Sequence, residues 1–569
     1  MSFSETNQLS TSSSYRYDPV GEKDAEKEKY SERNEDPSTQ RQISRFREIL
    51  PQVLCVTAKN LVLLDLGMTL AFSTIVVPVL LNKRDPSGLS FTESQATWFA
   101  SLPMIFQPFG SALSGLISGP FGRKRSLMLV NIPQIIGWLL LHSTNSVKIM
   151  YLAAALQGLG AGFMDAPILT YVGEICEPSL RGVLISYSLQ FCSAGFFFQC
   201  LLGSITNWRN VALISTIFPT MAFLCISQIP ETPMWLLSKN RLEDAEKSLR
   251  WLRGWVSKEE VAEEFGQLRA CSNNSKYRRD RDTRDDGGKV PPDYSSGERR
   301  TILVPPPPPC NAGCVRPPMI EATETDDEYS SLTFLEKVKD LLRPEILKPM
   351  TVIVVMNFLY LTSGFPAFKT YMVLVFQRIN IPMNANWASV CVSATIIAGH
   401  IVVMLAVKIT GKRPLALATT FIAAVFGLAI AIHINFQSFF GELLGANANW
   451  LLFAYFLILT LAVSSGMGPV PWMLMSEIFP FRGRSFASGI CAAVYYVTSF
   501  FSSKTFLSTL NVLGISGSYY LFGTISALGF CYVYLYLPET EGKSLEEIES
   551  IYKRRRREVI VDQRQRCTL

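Results

Sequence analysis

The residues able to do chemistry are few, and their surroundings are unusual. Asp65, Asp165, Lys369 and His400 interrupt stretches that are otherwise apolar. An ionisable side chain inside a membrane is costly unless it faces the bundle interior or a wet pathway. That pattern belongs to binding or moving a solute rather than to covalent catalysis. His142, His400 and His433 are the only histidines and lie far apart in the chain. There is no nucleophile–base pair and no metal-ligand spacing, and GPFGRK at 119–124 lacks the spacing of a phosphate-cradling loop. The chain reads as a non-enzyme with no cofactor and no metal.

Three of these groups have double readings. Asp65 is either a proton-coupling carboxylate or an early-turn residue at the membrane–water interface, and its place near the start of its span favours the second. Asp165 reads equally as a hydrogen-bonded packing acid or as a coupling acid. Lys369 reads as facing a cavity in preference to snorkelling outward.

The stretch GMGPVPWMLMSEIFPFRGRS at 466–485 shows what must position them. Gly466, Gly468, Pro469 and Pro471 break a helical hydrogen-bond ladder inside an apolar run. A bilayer tolerates such a break only where protein or a wet cavity re-satisfies the backbone. Trp472 sits at the break, and the run then turns charged at Glu477, Arg482 and Arg484. A second break is expected at Gly364 and Pro366 in TSGFPAFKTY, 362–371. Tyr495, Tyr496, Thr498 and Ser499 place hydroxyls in a further span.

Composition sets the class. Of 569 residues 48% are hydrophobic and only 18% charged, against about a quarter charged in soluble chains. Twelve stretches of about 20 apolar residues run from near 56–80 to near 517–537, six before and six after a polar middle. The net charge of +6 lies in particular loops, such as Arg123–Arg125, Lys412–Arg413 and Lys553–Arg557, and is no nucleic-acid signal. The same bias predicts that both termini face the cytosol. Six of the 12 cysteines fall within spans without framework spacing, as small packing residues.

The halves repeat. GPFGRKRSL at 119–127 matches TGKRPL at 410–415, EICEPSLRG at 174–182 matches EIFPFRGRS at 477–485, and PETPMWLL at 230–237 matches PETEGKSL at 538–545. The pairs come in one order at offsets of 289, 303 and 308 residues (Gly122 to Gly411, Glu174 to Glu477, Pro230 to Pro538). The expected organisation is a disordered cytosolic tail at 1–50, a six-helix bundle at 51–229, and a cytosolic linker at 230–345. A second bundle follows at 346–537, then a cytosolic tail at 538–569. In the linker, Trp235, Leu236, Leu242, Ala245, Leu249 and Leu252 form an apolar stripe. Residues 272–330 read as a disordered insert with five prolines at 305–309. Plain linker is the simpler reading of that insert, beside that of a docking segment for a cytosolic partner. The basic run after 552 is expected to meet anionic lipid.

These ordered signatures resemble the sugar porter family of the major facilitator superfamily, over nearly the whole chain outside the tails and insert. GFMDAPILTYVGEI at 162–175 looks most like the insect facilitated trehalose transporter type. The resemblance implies an all-α membrane protein with twelve transmembrane helices in two six-helix pseudo-repeats, a monomer alternating access to a central site. By position it makes Gln190 and Trp472 the sugar-binding glutamine and ring-packing tryptophan, with Tyr371 beside them. Glu174, Arg181, Glu477 and Arg484 match its cytosolic gating network, with Arg123 and Arg413 from the glycine–basic loops.

Several positions depart from the pattern. YLTSGFP at 360–366 stands where the family reads QQLSGIN, and Ala154 replaces an arginine. Gly119 and Lys408 replace acids before the two basic loops, and Thr69 stands where proton-coupled members carry an acid. Each lost amide partner costs a buried sugar hydroxyl about 1–3 kcal/mol. Replacement donors are Tyr360, Thr362, Lys369, His400, Tyr495 and Ser499. The expectation is a facilitative carrier of trehalose or another small saccharide in the plasma membrane. The alternatives are a carrier of a different organic solute, which Lys369 and His400 favour, and a non-transporting nutrient sensor.

Overall fold

A computed structural model describes residues 45–83, 85–176, 178–270, 341–445, 447–475, 477–479, 484–541 and 547. The insert at 272–330 and most of both tails lie outside the described residues. Among the described residues eleven helical stretches are long and apolar enough to cross a membrane. The last, Phe486–Tyr536, has 51 residues. At 1.5 Å per residue it would reach about 75 Å, more than twice a hydrocarbon core of about 30 Å. It divides at Gly514, whose φ of 70° and ψ of 175° are not helical. The chain therefore has twelve spans, all of them helical.

The first span starts at Arg45, inside the stretch read as a disordered tail, and runs to Leu81. That corrects the position of Asp65. It lies near mid-span, 1% exposed, rather than in a first turn at the interface. The first span packs on the fifth (Pro178–Ile205) and the second (Glu93–Phe121) on the fourth, Val147–Ile175. Glycines set the second contact. A Cβ on Gly162 would stand 1.9 Å from the Gln107 carbonyl oxygen, and one on Gly110 2.1 Å from that of Leu159. Gly115 and Gly119, on the same span, have open space beside them.

Both expected breaks are present. The seventh span stops at Thr362, and Gly364 takes a left-handed φ of 79° before Phe365–Arg378 resumes with proline in its first turn. The tenth span passes from Asn447–Ala462 into a π turn at Val463–Met467 and then Pro469–Met475. There the Gly468 N–H reaches back to the Val463 carbonyl at 3.0 Å. The wider turn absorbs residues that supply no ladder donor.

The halves meet through the first span on the second segment of the seventh, the second on the eleventh, and the fifth on the eighth (Ala385–Thr410). The face where the first span begins and the twelfth ends is here the terminal face, and the other the distal face. Trp98, Trp387 and Trp450 lie exposed near the distal ends of their spans, as an interfacial belt would. At the terminal face, Pro233–Ser238 and Leu242–Leu252 bury Trp235, Leu236, Ala245, Leu249 and Leu252.

Candidate functional site

Spans of both halves supply polar groups to the seam between them. On the fifth, Gln190 has both amide atoms buried without a protein partner. Three residues on, Ser193 hydrogen-bonds the His400 ring of the eighth span across the seam. Trp472 follows the tenth-span break and stays 37% exposed. Its ring stands 5.0 Å from that of Tyr495 and 6.5 Å from that of Tyr496, both on the eleventh span. The ring sits on the short helical segment Pro469–Met475 that follows the break.

Lys369 follows the seventh-span break. Its carbonyl accepts from Thr74 of the first span at 2.7 Å. Its amine lies 6.0 Å from the Phe196 ring and 5.8 Å from Phe365. Cys192 and His400 are its electrostatic neighbours. No carboxylate among the described residues pairs with it.

The remaining expected groups are placed differently. Tyr371 is fully buried within the second half, stacked on Phe506, and its hydroxyl donates to the Ser503 carbonyl at 3.1 Å. Thr362 donates back to the Phe358 carbonyl at 2.7 Å. Neither has its donor free for a solute. Tyr360 is buried, with its hydroxyl near Gly468 at the tenth-span break. Ser499 is buried on the eleventh span.

The acids are engaged. The Trp138 indole N–H donates to Asp65 at 2.8 Å, joining spans of the same half. The Tyr496 hydroxyl donates to Asp165 at 2.9 Å and so ties the halves together, with Ser111 as a second partner. Tyr496 carried no role in the sequence reading; its hydroxyl in an apolar run was the available signal. Asn357 is a further omission. It is 2% exposed with both amide atoms free of protein partners, one turn before Tyr360.

The terminal face carries two matching collars. In the first half Arg123 pairs with Glu174 at 2.9 Å, and the Thr232 hydroxyl donates to Glu174 at 2.6 Å. Glu231 accepts the backbone N–H groups of Arg123 and Lys124, each at 3.0 Å. In the second half Lys412 pairs with Glu477 at 2.8 Å and also with Glu541. Glu539 accepts from the N–H groups of Lys412 and Arg413 at 3.1 and 3.0 Å. The partner of Glu477 is thus Lys412. Arg413, placed in the gating network by the resemblance, turns its guanidinium to the Tyr534 carbonyl at 2.8 Å. Lys412 is the residue after the loop glycine, as Arg123 is, so the two pairs occupy matching places in the repeat. The side chains of Arg181 and Arg484 lie outside the described residues.

The collars differ in electrostatics. Burial pushes the Glu231 carboxyl above its usual range, against the backbone donors of Lys124, Thr232 and Arg123. Burial also opposes ionisation of Glu539, but the N–H groups of Glu541, Arg413, Lys412 and Thr540 outweigh it and hold that carboxyl low.

At the distal face the halves are bound together. Lys504 donates to Thr97 at 2.9 Å and lies 4.2 Å over the Trp98 ring. Asn511 donates to Glu93 at 2.9 Å and Asn82 to Gln377 at 3.3 Å. At the terminal face the pairs Arg123–Glu174, Lys412–Glu477 and Lys412–Glu541 each lie within one half. A hollow of about 670 Å³ at the distal face is lined by Asp85, Ser87, Trp208, Arg209, Gln377 and Asn386. There burial works against the Asp85 charge, but Ser87, Trp208 and Arg209 hold its carboxyl below the usual range.

Two pseudo-repeated six-helix bundles, meeting along a polar seam with matching collars at one face, define a membrane carrier of the major facilitator fold. The profile of the sugar (and other) transporter family matches residues 18–282 and 316–552, and the chain belongs to that family. It is 25% identical over 507 residues to the facilitated trehalose transporter Tret1 of Polypedilum vanderplanki, covering 88% of each chain. To the Apis mellifera ligustica protein of that name it is also 25% identical, over 88% of this chain and 87% of that one. Among solved structures it is similar to the proton:xylose symporter XylE bound to 6-bromo-6-deoxy-D-glucose. That match has a TM-score of 0.61 at 18% identity, over 89% of this chain and 100% of the other. The partially occluded inward-open xylose transporter XylE from E. coli gives 0.62 at 17% identity, over 87% and 99%. At such identity these structures speak to the fold.

Proposed function

We propose that the chain is a facilitative carrier of a small saccharide, trehalose being the first candidate, across the plasma membrane. It works as a monomer by alternating access. The terminal face is cytosolic, in keeping with the basic loops there, so the described state is shut toward the outside and poised to open inward.

One observation carries the reading. Gln190 offers a donor and an acceptor with no protein partner, on the seam that also exposes the Trp472 ring. A sugar needs that combination: directed hydrogen bonds for its hydroxyls and an apolar face for its C–H groups. Facilitation rather than proton coupling is supported by the acids. Asp65 and Asp165 are each held by an indole or phenol donor, and Thr69 offers only a hydroxyl.

The test is counterflow of labelled trehalose and glucose in proteoliposomes. Uptake above that of empty vesicles, unchanged by collapsing a pH gradient, is expected. Absence of flux for every sugar offered removes the proposal. Retained flux after deletion of residues 272–330 would separate a carrier from a sensor that signals through that segment.

A further inference from the structure

The seam holds one feature that a neutral sugar leaves unexplained. Lys369 places an ammonium between the halves, with described groups of four spans around it. The first span offers Thr74, already bonded to the Lys369 carbonyl. The fifth offers Cys192 and the Phe196 ring, the seventh Phe365, and the eighth His400. No ion pair to Lys369 exists among the described residues. The two acids that interrupt spans of the first half are already hydrogen-bonded within the protein, Asp165 to Tyr496 and Asp65 to Trp138. Lys369 is half-buried; a cation so placed without an ion-pair partner is unfavourable, and a ligand that brings the opposite charge relieves the cost.

We propose, building on the saccharide-carrier reading, that the preferred cargo is a sugar acid whose single carboxylate is received by Lys369. Gln190 and Trp472 take the rest of the ring. His400, held by Ser193 across the seam, stands beside the ammonium as a second hydrogen-bonding group for the carboxylate. A carboxylate fits better than a phosphate. Lysine is a single point charge without the planar fork that a dianion favours, and no arginine joins it in the seam among the described residues. The phenyl rings at 5.8 and 6.0 Å stabilise an ammonium but supply no hydrogen-bond acceptor. They leave its donors open for a ligand.

The experiment uses the full chain, purified and also reconstituted, with D-glucuronate, D-glucose and trehalose as probes. Thermal shift and counterflow are read for wild type, Lys369→Gln and Lys369→Arg. Glucuronate should bind wild type at least tenfold more tightly than glucose. Lys369→Gln should weaken glucuronate at least tenfold more than it weakens glucose, and Lys369→Arg should restore most of the preference, which also controls for folding. Glucuronate no better than glucose in wild type overturns the proposal while leaving the saccharide carrier standing. A glucuronate preference that survives Lys369→Gln overturns it as well. If none of the three sugars binds or moves, the carrier reading itself fails and the proposal with it. Lys369-dependent glucuronate transport supports both.

Discussion

At the scale of single residues, the useful distinction is between polar groups the fold has already used and those it has left open. Gln190 and Asp65 are both buried in the first bundle, yet only Asp65 has its partner within the protein. Gln190→Ala removes no internal hydrogen bond, so the thermal midpoint of the unliganded protein should stay put. Its sugar affinity should fall by about 1–3 kcal/mol, roughly 5- to 150-fold, in a binding titration. Trp138→Phe reverses the pattern. It strips Asp65 of its donor and should lower stability by about 1–3 kcal/mol, seen as an earlier thermal transition. Gln190 was found from the sequence because a motif marks it. Asn357 was not, because an amide one turn before Tyr360 in an apolar run looks unremarkable until its neighbours prove unable to satisfy it.

At the scale of elements, helix contacts depend on which face each glycine presents, and spacing alone does not tell. Gly162→Ala should sharply reduce the folded yield in detergent, since its Cβ would enter backbone of the second span. Gly115→Ala should be neutral, with open space beside it. Size-exclusion profiles of the two variants provide the comparison. The collars give an element-level pH dependence. Glu539 has a depressed carboxyl, so its contribution is present above the ordinary glutamate value of 4.5 and is lost as pH falls through its own lower value. Glu231 is raised, so protonation in the folded state is favoured and acid strengthens rather than weakens its contribution. The stability advantage of wild type over Glu539→Gln should therefore shrink on acidification, while no such acid loss accompanies Glu231→Gln. Thermal scans from neutral to acid pH measure both.

At the scale of the whole molecule, the described contacts bind the halves at the distal face and let each collar close on itself. The consequence is mechanical. A short thiol-reactive cross-linker, such as a bis-methanethiosulfonate, joining Asn82→Cys to Gln377→Cys should hold the distal face shut and abolish counterflow. A cysteine reagent should still reach Trp472→Cys from the terminal side. Full flux in the cross-linked protein would contradict a rocking motion of the two bundles.

Apolar run lengths, the recurring collar motifs and the glycine–proline breaks by themselves determined twelve spans, two repeats and the places where helices must open. They do so because a bilayer punishes every unsatisfied backbone group and every misplaced charge, so those features leave strong local marks. Only the tertiary structure decided which polar groups are consumed and which remain free. It moved Asp65 from an interface to the core of a bundle, paired Glu477 with Lys412, turned Tyr371 inward, left the Gln190 amide without a protein partner and gave Lys369 no ion pair among the described residues. Hydrogen bonds and ion pairs act over a few ångströms between residues that are distant in the chain, so their pairing is settled by how the helices pack and not by the order in which they occur.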